Sequence, residues 1–503
     1  MKPITKEYVE HELAQYKFPG MGIGVIKDGE VLQAEGFGFA DLEKRTLIDK
    51  DTEWGIASCS KAFTATLLCM LAEDGYFGLE QPIREYLPDF QLYDETATKL
   101  CTVKDILCHR TGIGGYDALW VDECDRADIW RRLKYLKPNE PFRAAIQYSN
   151  LMYTMAGHIA EKVTGRSYPD LIRERIFEPL GMTRSNCSIN DMLKSGNYAS
   201  PYWQSDDGPV AIDNWNVDLG APCGGINSTL SDMLKWLQFN IDDGVAPDGR
   251  RLISHESMTL LHTLHVRYEL WQWDFPEVPP VGGYALGWYN DVYRGHFMYW
   301  HIGEIEGYGT MQFVLPREKL GIVVFNNIQK PDVLIEMSCV YEIIDNVLGL
   351  PKEDWSARIW AERNNYGHML EDWRCDLMGE SPRAQGTKPS HDLDAYCGKY
   401  FEPGHGYIEI FRADGDPAAG GDSAGNNTAV GDSAAGRLAM KYRGVIQEME
   451  HYHYDVFQVN HVKQDTLIYT CPLEFFTSAD DGSIDRFAFR LYSQVDPIVF
   501  RRV

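Results

Sequence analysis

The segment Ser58 to Glu73, SCSKAFTATLLCMLAE, constrains the fold more than any other part of the chain. Ala62, Phe63, Ala65, Leu67, Leu68 and Leu71 fall at helical spacing, yet together they cover most of the circumference. A helix with one wet face shows a single apolar stripe, whereas one that is apolar nearly all round must be enclosed by other elements. Gly75 supplies its stop. Upstream, Met21 to Phe39 alternates around Lys27-Asp28-Gly29 and reads as a strand, a tight turn and a second strand. Far downstream, Met311 to Val314 and Gly321 to Asn326 read as strands again. A hairpin, then helices, then strands predicts an α+β class in which the terminal segments share one antiparallel sheet.

A chain of 503 residues is long for one core, and its character changes near the end. GESPRAQGTKPS, residues 379–390, is polar and rich in Pro, Gly and Ser, which marks a linker. Beyond it helical periodicity disappears. Tyr407 to Phe411, Leu438 to Tyr442, Thr466 to Tyr469 and Ile484 to Leu491 read as strands of a small β-barrel or sandwich. Ala413 to Gly436, a Gly/Ala/Asp/Ser tract with little to bury, reads as a flexible loop within it. The expected organisation is a catalytic domain over 1–378, a linker over 379–390 and a β domain over 391–503.

Charge and cysteine usage narrow the function. A net charge of −26 opposes binding to a phosphate backbone or an anionic membrane, so neither nucleic acid nor membrane is an expected partner. The first twenty residues carry scattered charges and no apolar signal region, and no run is long enough to span a bilayer, so a cytoplasmic location is expected. Eleven scattered cysteines without a C-x-x-C pair predict reduced, mostly buried thiols rather than disulfides or zinc. The sequons at Asn186, Asn227 and Asn426 carry no weight without secretion. His451 and His453, two apart on a strand, lack further ligands nearby in sequence and read as a strand face. No metal and no organic cofactor is expected.

The chemistry is concentrated in Ser58-Cys59-Ser60-Lys61. A serine hydroxyl is a poor nucleophile until a base takes its proton. A lysine three residues on lies one turn away on the same helix face, and burial lowers a lysine's pKa and suits it to that task. The helix N-terminus favours the developing anion. Cys59, about 100° round the helix from Ser58, points elsewhere. Two further elements follow in order: Tyr148-Ser149-Asn150 before an apolar helix, and His301-Ile302-Gly303 in YWHIGEIEGYGTMQFVLP.

These elements, with TEWGIASCSKAFTATLLCMLAEDG around the first, resemble the β-lactamase-related serine hydrolases, whose signature pairs S-x-x-K with a second S-D-N or Y-x-N element and a third K-T-G element. GMGIGVIKDGEV, VKDILCHRTGI, FEPLGMTRS and GGINSTLSDMLKWLQF extend the likeness over roughly residues 18 to 330. The resemblance implies a β-lactamase/transpeptidase-like fold, an antiparallel sheet flanked by helices with a helical subdomain. It implies Ser58 as nucleophile and Lys61 and Tyr148 as proton shuttle, the nearby lysine lowering the tyrosine's pKa so that it can act as general base. By position, Asn150 would hold the lysine and the substrate carbonyl side, and the H-x-G strand would line the site. Gly303 would then allow close approach, His301 would stand where the lysine of K-T-G does, and the backbone N–H of Glu304 would share the oxyanion hole with that of Ser58. The tail from Tyr396 is similar to the lipocalin-like barrel that follows some of these hydrolases.

The function this implies is hydrolysis of an ester or amide in a small molecule or short peptide through a Ser58 acyl-enzyme. The alternatives are an acyltransferase using the same intermediate and a catalytically silent binding protein. With His301 in place of lysine, followed by Glu304 and Glu306, neutral or cationic acyl donors fit better than anionic ones. Trp271, Trp273 and Phe275 read as an aromatic wall, a lid, or simple packing. The sequence leaves the oligomeric state open.

Overall fold

The computed structural model describes residues 2–119, 125–205, 207–267, 275–279, 282–329, 335–362, 383–413, 437–461, 469–492 and 495–503. Within them the chain forms two compact units, one of residues 2–119, 125–130 and 138–362, the other of residues 131–137 and 383–503.

The first unit is built on a nine-stranded antiparallel sheet. Its strands are β1 (Gly20–Lys27), β2 (Glu30–Asp41), β3 (Thr46–Leu47), β4 (Val266–Arg267), β5 (Gly283–Tyr284), β6 (Tyr289–Tyr293), β7 (His296–Ile305), β8 (Tyr308–Leu315) and β9 (Leu320–Asn326). Their order is β3-β2-β1-β9-β8-β7-β6-β5-β4, so the N-terminal hairpin closes against the late strands, Met21 opposite Asn326 and Lys27 opposite Leu320. This is the expected α+β arrangement with shared terminal segments. Asp28 and Gly29 both adopt positive φ, 52° and 83°, the backbone that a two-residue turn between twisted strands requires.

Period-2 alternation divides the faces of β1. Met21, Ile23 and Val25 join a core shared with α1 (Lys6–Tyr16) and, later in the chain, α5 (Ile335–Leu348). Gly22 and Gly24 face the opposite way. A Cβ at Gly24 would lie 3.2 Å from Leu234 of α4 (Leu230–Ile241), so the bare backbone lets that helix sit close on the sheet.

The enclosed helix is α2, Ser60–Glu73, and every residue from Ser60 to Leu71 is buried. Phe63 stacks on Trp236 of α4 at 3.9 Å. The polar residues of α2 are bonded rather than stranded: Thr64 Oγ1 donates to Pro222 O at 2.6 Å and Thr66 Oγ1 to Ala62 O at 2.9 Å. One expectation is corrected. The regular helix begins at Ser60, and Ser58 lies in a 3₁₀ turn, Ala57–Cys59, ahead of it. A further helix, α3 (Asn150–Thr164), packs beside α2 and ends at Gly165 with φ 71°.

The second unit is a closed eight-stranded antiparallel barrel, from Gly398–Glu402 to Ile498–Arg502, with strands paired in chain order and the last closing on the first. Tyr400, Ile408, Leu438, Phe457, Phe475, Phe487 and Phe500 fill it. Of the expected strands, Thr466 to Tyr469 falls mainly outside the described residues, as do residues 379–382 of the expected linker, nearly all of the 413–436 tract, and Asn426. Residues 383–390 are tied to the barrel, Ala384 N donating to His453 Nδ1 at 3.2 Å and Ser390 N to Asp455 Oδ1 at 2.8 Å. His451 Nε2 donates to Tyr454 O at 2.9 Å. Trp271 and Trp273 lie outside the described residues, and Phe275 is core, edge-on to Trp355 at 5.6 Å. Among the described residues the nine cysteines are free thiols, and no helix is long and apolar enough to cross a membrane.

Candidate active site

The turn that carries Ser58 is clamped before α2 begins. Trp54–Gly55 pairs with Asn227–Ser228, and Ile56 N donates to Ile226 O at 2.9 Å. Ala57 then takes φ 46°, a left-handed conformation costly for a residue with a side chain and held only where neighbours enforce it. The enforcing neighbour is β7. A Cβ at Gly303 would lie 3.0 Å from Ser58 N and 3.1 Å from Ala57 Cβ, so only glycine lets the strand pass against the turn. Cys59 is fully buried toward the sheet, its Sγ 3.4 Å from His301 O, and burial pushes the thiol far above its usual range. It is no nucleophile.

Lys61 is fully buried and uses all three ammonium protons, donating to Ser58 Oγ at 2.8 Å, Asn150 Oδ1 at 2.7 Å and Cys223 O at 2.8 Å. Burial pulls its pKa down to about 8, against the opposing influence of Cys223 and Asp117. The second element shows why its middle residue faces away: Ser149 is the N-cap of α3, its Oγ accepting from Met152 N at 3.3 Å. Its neighbours face the site. Asn150 reaches Lys61, and the Tyr148 ring lies 4.8 Å from Lys61 Nζ, with the Ser58 hydroxyl favouring its ionised form. Sequence reasoning expected Lys61 to lower the tyrosine's pKa. Instead burial holds the phenol well above its usual range, so the group brought near neutrality is the lysine.

His301 is fully buried beneath the site. Its Nδ1–H donates to Ile302 O at 2.5 Å, and its Nε2 accepts from Tyr284 OH at 3.0 Å. Burial, with Lys61 nearby, pushes its pKa down to about 3, so the imidazole is neutral and does not carry the charge of the lysine it stands for. Pairing with β6 ends at Trp300, so residues 301–305 have no strand partner on that side among the described residues.

Glu304 lies on the other face of β7 from Gly303. Its cross-strand partner is Gly309, which is opposite Asn326, and residues directly opposite share a face. A Cβ at Gly309 would lie 2.6 Å from Glu336 Oε1, which places Glu304, Asn326 and Glu336 together on the α5 side. Glu304 keeps part of its surface in solvent, and desolvation by the protein around it pushes its carboxyl up to about 7. Glu336 is buried and pushed to about 8 by burial, with Glu304 adding to it. Asn326 donates to one of its oxygens, while the other has no partner among the described residues. Glu306, in the turn after β7, is half-buried.

Sequence reasoning missed four groups. His109, at φ 58°, accepts from Ser149 N at 3.1 Å through Nδ1 and stacks 4.4 Å from Tyr148, bracing the second element. It lay within VKDILCHRTGI, quoted only for likeness. Asp117, Cys223 and Glu336 carried no sequence signal.

Comparison with known proteins agrees with this geometry. A family model described as Beta-lactamase matches residues 5–336. Unguisins hydrolase from Aspergillus violaceofuscus is 29% identical over 431 residues, covering 80% of this chain and 75% of its own. The octameric penicillin-binding protein homologue from Pyrococcus abyssi aligns with TM-score 0.58 at 20% identity, covering 99% of each chain. A class C beta lactamase from Rhodobacter sphaeroides aligns with TM-score 0.56 at 22% identity, covering 68% of this chain and 98% of its own. On a match that takes in the sheet, the enclosed helix and all three elements of the site, the chain belongs to the Beta-lactamase family.

Proposed function

We propose that this protein hydrolyses an ester or amide bond of a small molecule or short peptide through an acyl-enzyme on Ser58. The observation that carries the reading is Lys61 Nζ, fully buried, 2.8 Å from Ser58 Oγ, with its pKa drawn down to about 8. A neutral amine in that position can take the serine proton as Oγ bonds to the substrate carbonyl carbon. The carbonyl oxygen becomes an oxyanion, for which the backbone N–H groups of Ser58 and Glu304 are the donors. As the bond to the leaving group breaks, Tyr148 gives it a proton and recovers one from the Lys61 ammonium. Water then attacks the acyl carbon by the reverse path and Ser58 regains its proton.

The substrate reading rests on charge. His301, where the resemblance puts a lysine, is a neutral imidazole, so a substrate carboxylate bound along β7 meets no cation at that position. Neutral or cationic acyl donors fit. The hydrolase named among the relatives supports water rather than an alcohol or amine as acceptor. The test is fluorophosphonate labelling with the modified serine mapped by mass spectrometry, followed by ester and amide panels with and without alcohol and amine acceptors. Label on Ser58 and acceptor-independent turnover are expected. Label elsewhere overturns the reading.

A further inference from the structure

Asn150 presents two different atoms to two different partners, and the chemistry of those partners allows one orientation. Lys61 Nζ is a donor only, so the amide atom 2.7 Å from it must be the oxygen. The amide nitrogen then needs an acceptor, and it has one: Asn150 Nδ2 donates to Asp117 Oδ1 at 3.0 Å. Were the amide turned over, nitrogen would face ammonium and oxygen would face carboxylate, two repulsive contacts at once.

Asp117 is also singular in charge. The titratable groups facing Lys61 are Cys59 on its own turn, Cys223, Tyr148 and Tyr153, the imidazoles of His109 and His301, and Asp117. Burial raises both thiols and both phenols, and lowers both imidazoles, so all six are neutral. Among the described residues facing Lys61, the Asp117 carboxylate is the counter-charge.

We propose that Asp117 is a positioning residue for Ser58: it locks the Asn150 amide with its oxygen toward Lys61 and supplies the anionic end of a chain running Asp117, Asn150, Lys61, Ser58. The chain is carboxylate, amide, ammonium and hydroxyl, each donor matched to an acceptor. In the resting enzyme the Asn150 amide nitrogen belongs to Asp117, not to a substrate carbonyl. The anion raises the affinity of Lys61 for its proton, so it opposes burial and sets the pH at which the base becomes free.

This inference rests on Ser58 and Lys61 acting as proposed above, and the rate of Ser58 labelling by a fluorophosphonate, followed against pH, separates the two. In the wild type the rate should rise with pH as Lys61 loses its proton. Asp117→Asn keeps an oxygen for Asn150 but removes the charge, so its plateau should hold while its rising limb moves to lower pH by about one unit. Asp117→Ala removes the anchor as well, and its plateau should fall about tenfold as the amide loses its orientation. Asp117 is exposed, so neither change disturbs the core. Ser58 labelled in all three proteins with superimposable limbs and equal plateaus overturns the role of Asp117. No label on Ser58 in the wild type overturns the acyl-enzyme reading itself.

Discussion

Lys61 and Glu336 are both ionisable side chains buried in the same unit, and their surroundings treat them differently. Lys61 has every proton matched to an oxygen, whereas among the described residues Glu336 has a donor on one oxygen and none on the other. Burial drives each toward its neutral form, so the lysine falls to about 8 and the carboxyl rises to about 8. The same cost of desolvation therefore yields a base that can be freed near neutrality on one side of β7, and an acid that holds its proton on the other. The Lys61 side is the one proposed above to move protons, and the Glu336 side keeps a neutral acid.

That contrast can be broken most forcefully at Ser58, the proposed nucleophile. Ser58→Ala should abolish labelling and cut turnover by about a thousandfold or more, since the attacking atom is gone, while leaving substrate binding near its original strength. Steady-state kinetics and equilibrium binding on one substrate check both halves. A loss confined to binding would assign chemistry elsewhere.

The next effect tests whether Lys61 and Tyr148 act as one unit. Lys61→Ala and Tyr148→Phe should each cost about a hundredfold or more in kcat, and the double variant little beyond the worse single, because coupled groups are non-additive. Penalties that add would show independent roles. In the wild type kcat should rise through about pH 8, the direction expected of a base whose protonated form is inactive.

On the opposite side the effects should be smaller and of another kind. Glu304→Gln should change kcat/KM for anionic and neutral acyl donors alike, and by less than about threefold, because its side chain faces away from Ser58. A gain confined to anionic donors would bring the Glu304 carboxyl to the substrate.

The smallest expected effect is on stability. A carboxyl whose pKa is raised in the folded state contributes most below its unfolded value and loses that contribution as pH rises toward the folded one. The Glu336 contribution should therefore decline between about pH 4.5 and about 8, with Glu304 titrating in the same window. Glu336→Gln lacks the Glu336 part of the decline, so its Tm relative to wild type should rise by a few degrees from pH 5 to pH 8. Parallel curves would mean that Glu336 is not the buried acid described.

Much of the architecture was legible because its signals are local. The circumference of α2, the alternation of β1, and the turn at Asp28-Gly29 are each written within a dozen residues, and each stands in the fold. The start of α2 was misread because helical spacing does not reveal a left-handed residue. Ala57 is held at φ 46° by contact with Gly303, far away in sequence. Phe275 could not be assigned between wall and core because aromatic composition alone does not say which surface a ring meets.

The site divides the same way. Spacing alone put Ser58 and Lys61 on one turn and made the lysine buried, because a helix apolar all round has no wet face to offer it. Tertiary structure decided what that burial means. The acceptors of Lys61 come from 89 and 162 positions away, the carboxylate behind Asn150 from another 33, and the register of β7 with β8 and β9 turned Glu304 away from Ser58 and toward Glu336. A proton's affinity is a sum over desolvation and every neighbouring dipole and charge, and that sum exists only once distant segments have been brought together.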